Sequence, residues 1–158
     1  DANLRNTRPI GEAAARMGRC AVPPTFRVDQ GVLPTVLQSS DFAQMAGQLR
    51  TLLRDLTGNQ GLRPEQIVVL SPYRRDNAAS AWAVGLDACA TTDALAAPLP
   101  GRVRVGTVQG FKGLESDVVV LVGIDLRCMR HPANLYVGAS RARAALYVLA
   151  LADAGLAA

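Results

Sequence analysis

Three runs of consecutive apolar residues constrain this chain more than any other feature: "IVVLS" (67–71), "DVVVLVGI" (117–124) and "ALYVLALA" (145–152). A strand with one wet face alternates apolar and polar side chains. A run that stays apolar is covered on both faces, as in a parallel sheet held between helices. Patterns at helical spacing lie between these runs. Phe42, Met45, Leu49, Leu52, Leu53 and Leu56 recur every three or four residues, and Ser40 or Asp41 can cap the helix they predict, which ends near Gly58. "PIGEAAARMG" (9–18) opens on proline and closes on glycine, the usual polarity of a short helix. Residues 76–90 and 132–142 also read as helices. "RVRVGTV" (102–108) alternates as a strand, and residues 91–101 read as a loop. Residues 20–40, with prolines at 23, 24 and 34, form a meander with one or two short strands. Strands alternating with helices predict an α/β fold: a mostly parallel sheet with helices on both faces.

At 158 residues the pattern fits one domain, residues 1–151, followed by a loose tail, 152–158. A start at Asp1 rather than Met fits a piece of a longer protein. With 49% hydrophobic and 19% charged residues the composition is ordinary for a soluble α/β protein. The net charge of +4 and pI near 9.4 suit an acidic partner such as nucleic acid without specifying one. Cys20, Cys89 and Cys128 are scattered, with no CxxC spacing, so neither a disulfide framework nor a metal site is expected, and a reducing cytoplasm is the expected location. His131 is the only histidine and reads as a surface residue ahead of Pro132. The longest apolar run is strand-length, so no membrane span is predicted.

Chemistry concentrates in three stretches. "TVQGFKGLESDVVVLV" (107–122) contains Lys112, the only lysine in a chain whose other basic residues are all arginine. The strand before it delivers Thr107 and Gln109 to its carboxyl end, where open α/β sheets bind ligands. Gly110 and Gly113 permit a tight turn and leave amides accessible, an arrangement suited to phosphate. Lys112 supplies a compact charge, and Glu115 can accept from a sugar hydroxyl or pair with Lys112. The same residues also describe a plain glycine-rich surface turn. In "NLYVGASRARAALYVLA" (134–150), Arg141 and Arg143 fall where a helix meets the last strand. They can neutralise the helix terminus, or one can reach a phosphate. In "NLRNTRPIGEAA" (3–14), Arg5 and Arg8 precede a helix, and Asn3, Asn6 and Thr7 are local hydrogen-bonding residues of a loop and cap.

Taken together, these stretches resemble the second RecA-like domain of superfamily 1 helicases of the UvrD/Rep type. "NLRNTRPI" is similar to motif IV, "VGTVQGFKGLESDVVVLVG" to motif V, "LYVGASRARAALYV" to motif VI, and "IVVLSPYRRDNA" to the intervening strand and loop. The match spans almost the whole chain, and motifs V and VI are its most specific parts. The resemblance implies a RecA-like, P-loop NTPase-type α/β fold. It implies that Arg5 and Arg141 reach the γ-phosphate of ATP, Arg141 as the arginine finger. Glu115 would hold the ribose, and Lys112 with Gly113 would serve the phosphate or strand side of the loop. Thr107 and Gln109 would touch the backbone of single-stranded DNA, with RNA left open. Asn77 with Arg74 or Arg75 would make a second strand contact.

Departures are informative. Leu4 stands where motif IV commonly has an aromatic residue or cysteine. Gln109 replaces a histidine common in the UvrD branch, which leaves polarity open. Residues 78–103 are too few for the large inserted domain of UvrD-type enzymes. The Walker A pattern GxxxxGK[ST] and the acidic magnesium-binding motif occur nowhere in the chain. The resemblance therefore implies that ATP and Mg2+ are held mainly by an N-terminal RecA-like domain of the same parent, and that this piece alone is inactive. The alternative is a RecA-like module that binds nucleic acid or protein without catalysis. A dinucleotide-binding oxidoreductase suits the sheet pattern but lacks GxGxxG after any predicted strand.

Overall fold

The computed structural model describes residues 2–22, 25–28, 31–85 and 89–156, and leaves the side chains of residues 2–5 and 25–28 undescribed. In chain order the elements are β1 (Ala2–Thr7), α1 (Arg8–Met17), β2 (Thr25–Val28), β3 (Thr35–Ser39), α2 (Phe42–Arg54), β4 (Ile67–Ser71), β5 (Thr91–Thr92), β6 (Val103–Thr107), β7 (Ser116–Ile124), α3 (Pro132–Ala139) and β8 (Ala142–Leu151). Six strands form one sheet in the order β3–β8–β7–β4–β6–β5, and each neighbouring pair is parallel. β1 and β2 pair in parallel as a separate ribbon.

The continuous apolar runs are covered on both faces, as their composition requires. Val68 and Leu70 of β4, Val119 and Leu121 of β7, and Leu146 and Val148 of β8 face Ile10 and Ala14 of α1 and Leu135 and Ala139 of α3. The alternate residues Ile67, Val69, Val118, Val120, Val122 and Leu149 face Met45, Leu49 and Leu53 of α2. The two-residue period sends neighbours to opposite layers, so each central strand contributes to both. Asp41 caps α2, its Oδ1 accepting from the Gln44 amide at 2.7 Å. α2 widens at its end into a π-turn over Asp55–Asn59.

Five sequence expectations are revised, the first being the loop read over residues 91–101, whose opening Thr91–Thr92 pairs with β6 as the short edge strand β5. Residues 76–85 form turns rather than a helix, and residues 86–88 lie outside the described residues. Asn77 Oδ1 accepts from the Ala79 amide at 2.8 Å, and Ser80 Oγ accepts from the Ala83 amide at 3.0 Å. Such local bonds offer the backbone an alternative to helical pairing. "NLRNTR", expected as loop and cap, lies mostly within β1, and the Thr7 side chain caps nothing in α1. α3 ends at Ala139, leaving Arg141 in the turn before β8. β6 does not alternate wet and dry: Arg104 is buried, donating from Nη1 to the Leu95 carbonyl at 3.1 Å and lying 5.2 Å over the Phe111 ring. Burial draws its guanidinium pKa down.

Near the end of β7, Gly123 has a φ of +71°, a conformation that favours glycine. A Cβ would lie 1.9 Å from the Ala79 carbonyl oxygen, so the turn after β4 packs directly on bare backbone. Beyond β8, residues 152–154 make a 3-10 turn, Ala154 is buried, and the Leu156 carbonyl accepts from Gln38 Nε2 at 2.7 Å. No helix among the described residues is long and apolar enough to cross a membrane.

Candidate functional site

Parallel strands share one direction, so their loops divide into two sets at opposite ends of the sheet. The residues singled out from sequence divide in the same way. At the amino ends of β7 and β8, Ser116 pairs with Ala142, and the Ser116 amide donates to the Arg141 carbonyl at 3.1 Å. Glu115, immediately before β7, therefore lies beside the turn that carries Arg141. Asn6 joins them from β1. Its buried amide donates to the Ser140 carbonyl at 2.9 Å and also to the Ala142 carbonyl. Portions of the stretches resembling motifs IV, V and VI thus meet at one end.

Within this cluster Arg141 is half-buried. Its Nε donates to the Val137 carbonyl at 3.1 Å and Nη2 lies 3.3 Å from Ser140 Oγ. It thereby satisfies an end carbonyl of α3, which realises the helix-terminus role open to it from sequence. Glu115 pairs with Arg143, Nη1 to Oε1 at 3.4 Å, rather than with Lys112. Arg143 also reaches Asp117, Nε to Oδ1 at 3.3 Å. Arg8 pairs one helical turn along with Glu12, at 3.6 Å. Arg5 lies on β1, next to Asn6, but its side chain is outside the described residues, so its reach toward the cluster is not described.

The other group sits at the carboxyl ends. Thr107 closes β6 in register with Ser71 at the end of β4. Thr107 Oγ1 accepts from the Gly110 amide at 2.9 Å, which leaves its hydroxyl proton to donate. Gln109 and Arg74 are exposed. Arg75 pairs with Asp93 at 3.6 Å and lies 5.3 Å over the Trp82 ring. Asn77 spends its side-chain oxygen on the Ala79 turn described above, a local role beside which any strand contact falls to its amide nitrogen. Tyr73 is tied down here as well: its hydroxyl donates to Asp125 Oδ1 at 2.5 Å, and the same oxygen accepts from the Cys128 amide at 3.0 Å. Burial and the Asp125 acceptor push the Tyr73 phenol well above its ordinary pKa.

Residues 108–115 connect the two ends, running back across the sheet face. Phe111, fully buried, pins this segment over Arg104. The Lys112 amide donates to the Gln109 carbonyl at 3.2 Å, and the Leu114 amide to the Phe111 carbonyl at 3.0 Å, giving two consecutive turns. Gly113, with φ of +85°, allows the second. Lys112 is exposed on it. The described residues contain no group of three or more His, Cys, Asp or Glu able to hold a metal ion.

Asn6 and Arg143 are the contributors whose importance the sequence understated. Asn6 looked like a local cap residue, because a backbone carbonyl partner leaves no trace in sequence. Arg143 stood beside Arg141 as an equivalent cation, and the pair of acids two positions apart, Glu115 and Asp117, was the only signal of its different partners.

Residues 102–149, from the start of β6 almost to the end of β8, match the family model of the UvrD-like helicase C-terminal domain. The matched part of the chain includes Thr107, Lys112, Glu115, Arg141 and Arg143. The chain is similar in fold to the C-terminal domain of a possible DNA helicase from Lactobacillus plantarum WCFS1, with a TM-score of 0.68 and 19% identity over 95% of this chain and 88% of that one. That fold is the RecA-like one expected from sequence. A PRRSV helicase aligns with a TM-score of 0.46 and 15% identity, over 95% of this chain and 22% of that chain. None of the curated proteins matches the chain.

Proposed function

We propose that this chain is the C-terminal motor domain of an ATP-dependent helicase or translocase, facing nucleotide with the amino ends of β7 and β8 and single-stranded nucleic acid with the opposite ends. The observation that carries the proposal is the convergence of Asn6, Glu115 and Arg141 at one end, with Thr107 and Gln109 delivered by β6 to the other. The donor set fits the outer part of a magnesium nucleotide. Arg141 offers guanidinium protons to an anionic phosphate, and Glu115 accepts from a ribose hydroxyl. Arg5 would be a second phosphate-facing arginine. Lys112 and Gly113 would serve the phosphate or strand side of the connecting turn. The phosphate loop and magnesium ligands would come from an N-terminal RecA-like domain of the same parent.

In this reading the chain's own chemistry is electrostatic. As the two domains close, the Arg141 guanidinium exchanges its Val137 and Ser140 contacts for an oxygen of the transferring phosphoryl group. It then stabilises charge that develops there. Opening reverses the exchange, and the strand is released and regripped by Thr107, Gln109 and the Arg74–Asn77 turn.

The test is Arg141→Ala in the full-length protein. Nucleotide binding should remain measurable while kcat falls by about 10³-fold or more, the usual effect of losing an arginine finger. Unchanged turnover removes the assignment. The 158-residue piece alone should show no magnesium-dependent ATPase activity. The missing Walker A pattern also suits a second reading, a non-catalytic nucleic-acid- or protein-binding module; a parent frame without that pattern upstream would favour it.

A further inference from the structure

We propose that Arg143 is a positioning residue: it fixes the Glu115 carboxylate at the amino end of β7, and so sets how strongly the site prefers a ribonucleotide to a deoxyribonucleotide. The inference rests on the nucleotide reading given above and adds a residue to it. Arg143 and Arg141 are two positions apart, yet they are held differently. Arg141 bonds to α3, whereas Arg143 bridges two carboxylates, Glu115 through Nη1 at 3.4 Å and Asp117 through Nε at 3.3 Å.

The backbone explains the difference. Between Ser116 and Val118 of β7 there is one residue, whereas between their partners Ala142 and Ala145 of β8 there are two. The register therefore shifts by one residue at Arg143–Ala144, and an irregularity of this kind re-aims a side chain at the margin of a site. The re-aimed guanidinium meets a fixed base. Asp117 Oδ2 accepts from Gln66 Nε2 at 3.2 Å, and the Gln66 carbonyl accepts from Ser116 Oγ at 2.9 Å. Asp117 thus anchors Arg143 on one side, and Arg143 holds Glu115 on the other.

Exposed ion pairs add little to stability. The side chains of Arg143, Glu115 and Asp117 are 53%, 43% and 37% exposed, so the triad's use is orientation. Arginine suits it, because its planar fork donates in two directions at once, which a lysine ammonium does less selectively. Without the clamp, Glu115 and Asp117 repel one another, and Glu115 loses one of the contacts that orient it. A sugar hydroxyl would then find its acceptor in place only part of the time.

The experiment measures steady-state hydrolysis of ATP, 2′-deoxy-ATP and 3′-deoxy-ATP by the full-length protein and its variants Glu115→Gln, Arg143→Ala, Arg143→Lys and the double variant. Arg143→Ala should raise KM for ATP about tenfold, the scale of one charged hydrogen bond, with a much smaller change in kcat. Preference for ATP over the deoxy analogue whose hydroxyl Glu115 binds should fall in step. The double variant should resemble Glu115→Gln alone, and Arg143→Lys should recover part of the loss. If Arg143→Ala does not fold, Asp117→Asn, which loosens the same clamp from below, should move KM and sugar preference in the same direction. Glu115→Gln with unchanged KM and sugar preference would defeat the nucleotide reading itself. If Glu115→Gln moves both while Arg143→Ala moves neither, or adds independently, the positioning role alone fails. A fall in kcat at constant KM would make Arg143 a phosphate contact and overturn the proposal.

Discussion

Asn6 and Ser140 lie 134 positions apart, and the buried amide of the first donates to the carbonyl of the second at 2.9 Å. With the Ala142 carbonyl as its other acceptor, Asn6 stitches β1 to the turn that holds Arg141. Asn6→Ala leaves two buried carbonyls without this donor and should cost about 1–3 kcal/mol in urea unfolding. Asn6→Asp should cost more, because a carboxylate then faces two carbonyl oxygens. Equal stability of wild type and Asn6→Asp would disprove the stitch.

The separation of the two ends makes a second prediction. Thr107→Val and Gln109→Ala change groups at the carboxyl end of β6. In the full-length protein each should weaken binding of single-stranded DNA about three- to tenfold, the value of one hydrogen bond. KM for ATP measured without DNA should stay where it is. A parallel rise in that KM would mean that the two ends do not divide the work.

Gly123 offers a test of packing alone. Its positive φ and the 1.9 Å approach of the Ala79 carbonyl leave no space for a methyl group. Gly123→Ala should destabilise the domain by more than about 3 kcal/mol, through strain and displacement of the 72–80 turn together. Gly58→Ala, where a Cβ meets nothing within 4 Å, is the matched control and should be nearly neutral.

Thiol reactivity should rank the cysteines. Burial pushes the Cys128 thiol up to about 11, and burial raises Cys89 as well, whereas Cys20 is exposed. The thiolate is the reactive form, and a raised pKa empties it below that value. At pH 8 only about one Cys128 in a thousand is ionised. Labelling with a disulfide reagent should therefore modify Cys20 first and Cys128 last, with Cys128 accelerating as pH rises toward 11. Rapid labelling of Cys128 at pH 8 in folded protein contradicts its burial.

The parts of the fold legible in sequence are those where burial acts on every residue of a stretch. "IVVLS" and "DVVVLVGI" are dry on both sides, and Asp41 caps the helix behind it. The stretch after Asp76 was misleading because its alanines favour helix, while the Asn77 and Ser80 side chains bond their own backbone instead. Arg104 misled differently: an arginine between valines suggests a wet face, but Phe111 and the Leu95 carbonyl receive it. Motif order named Thr107, Glu115 and Arg141 as candidates, and the fold brings Glu115 and Arg141 to neighbouring positions at one end. The placing of Thr107 at the opposite end came from parallel topology and the path of residues 108–115. The contacts of Asn6 and Arg143 depend on backbone carbonyls and a register shift, neither of which is written in side-chain identity.

β7 spans nine residues from one end of the sheet to the other, and every one except Asp117 is buried. At strand geometry that is roughly 30 Å, with Val118–Leu121 paired on both flanks and the strand packed between two helical layers. The Glu115 end and the Gly123 end are thus joined by a single strand whose middle has a neighbour on either side, so a change in its seating at one margin of the sheet is shared with β4 and β8.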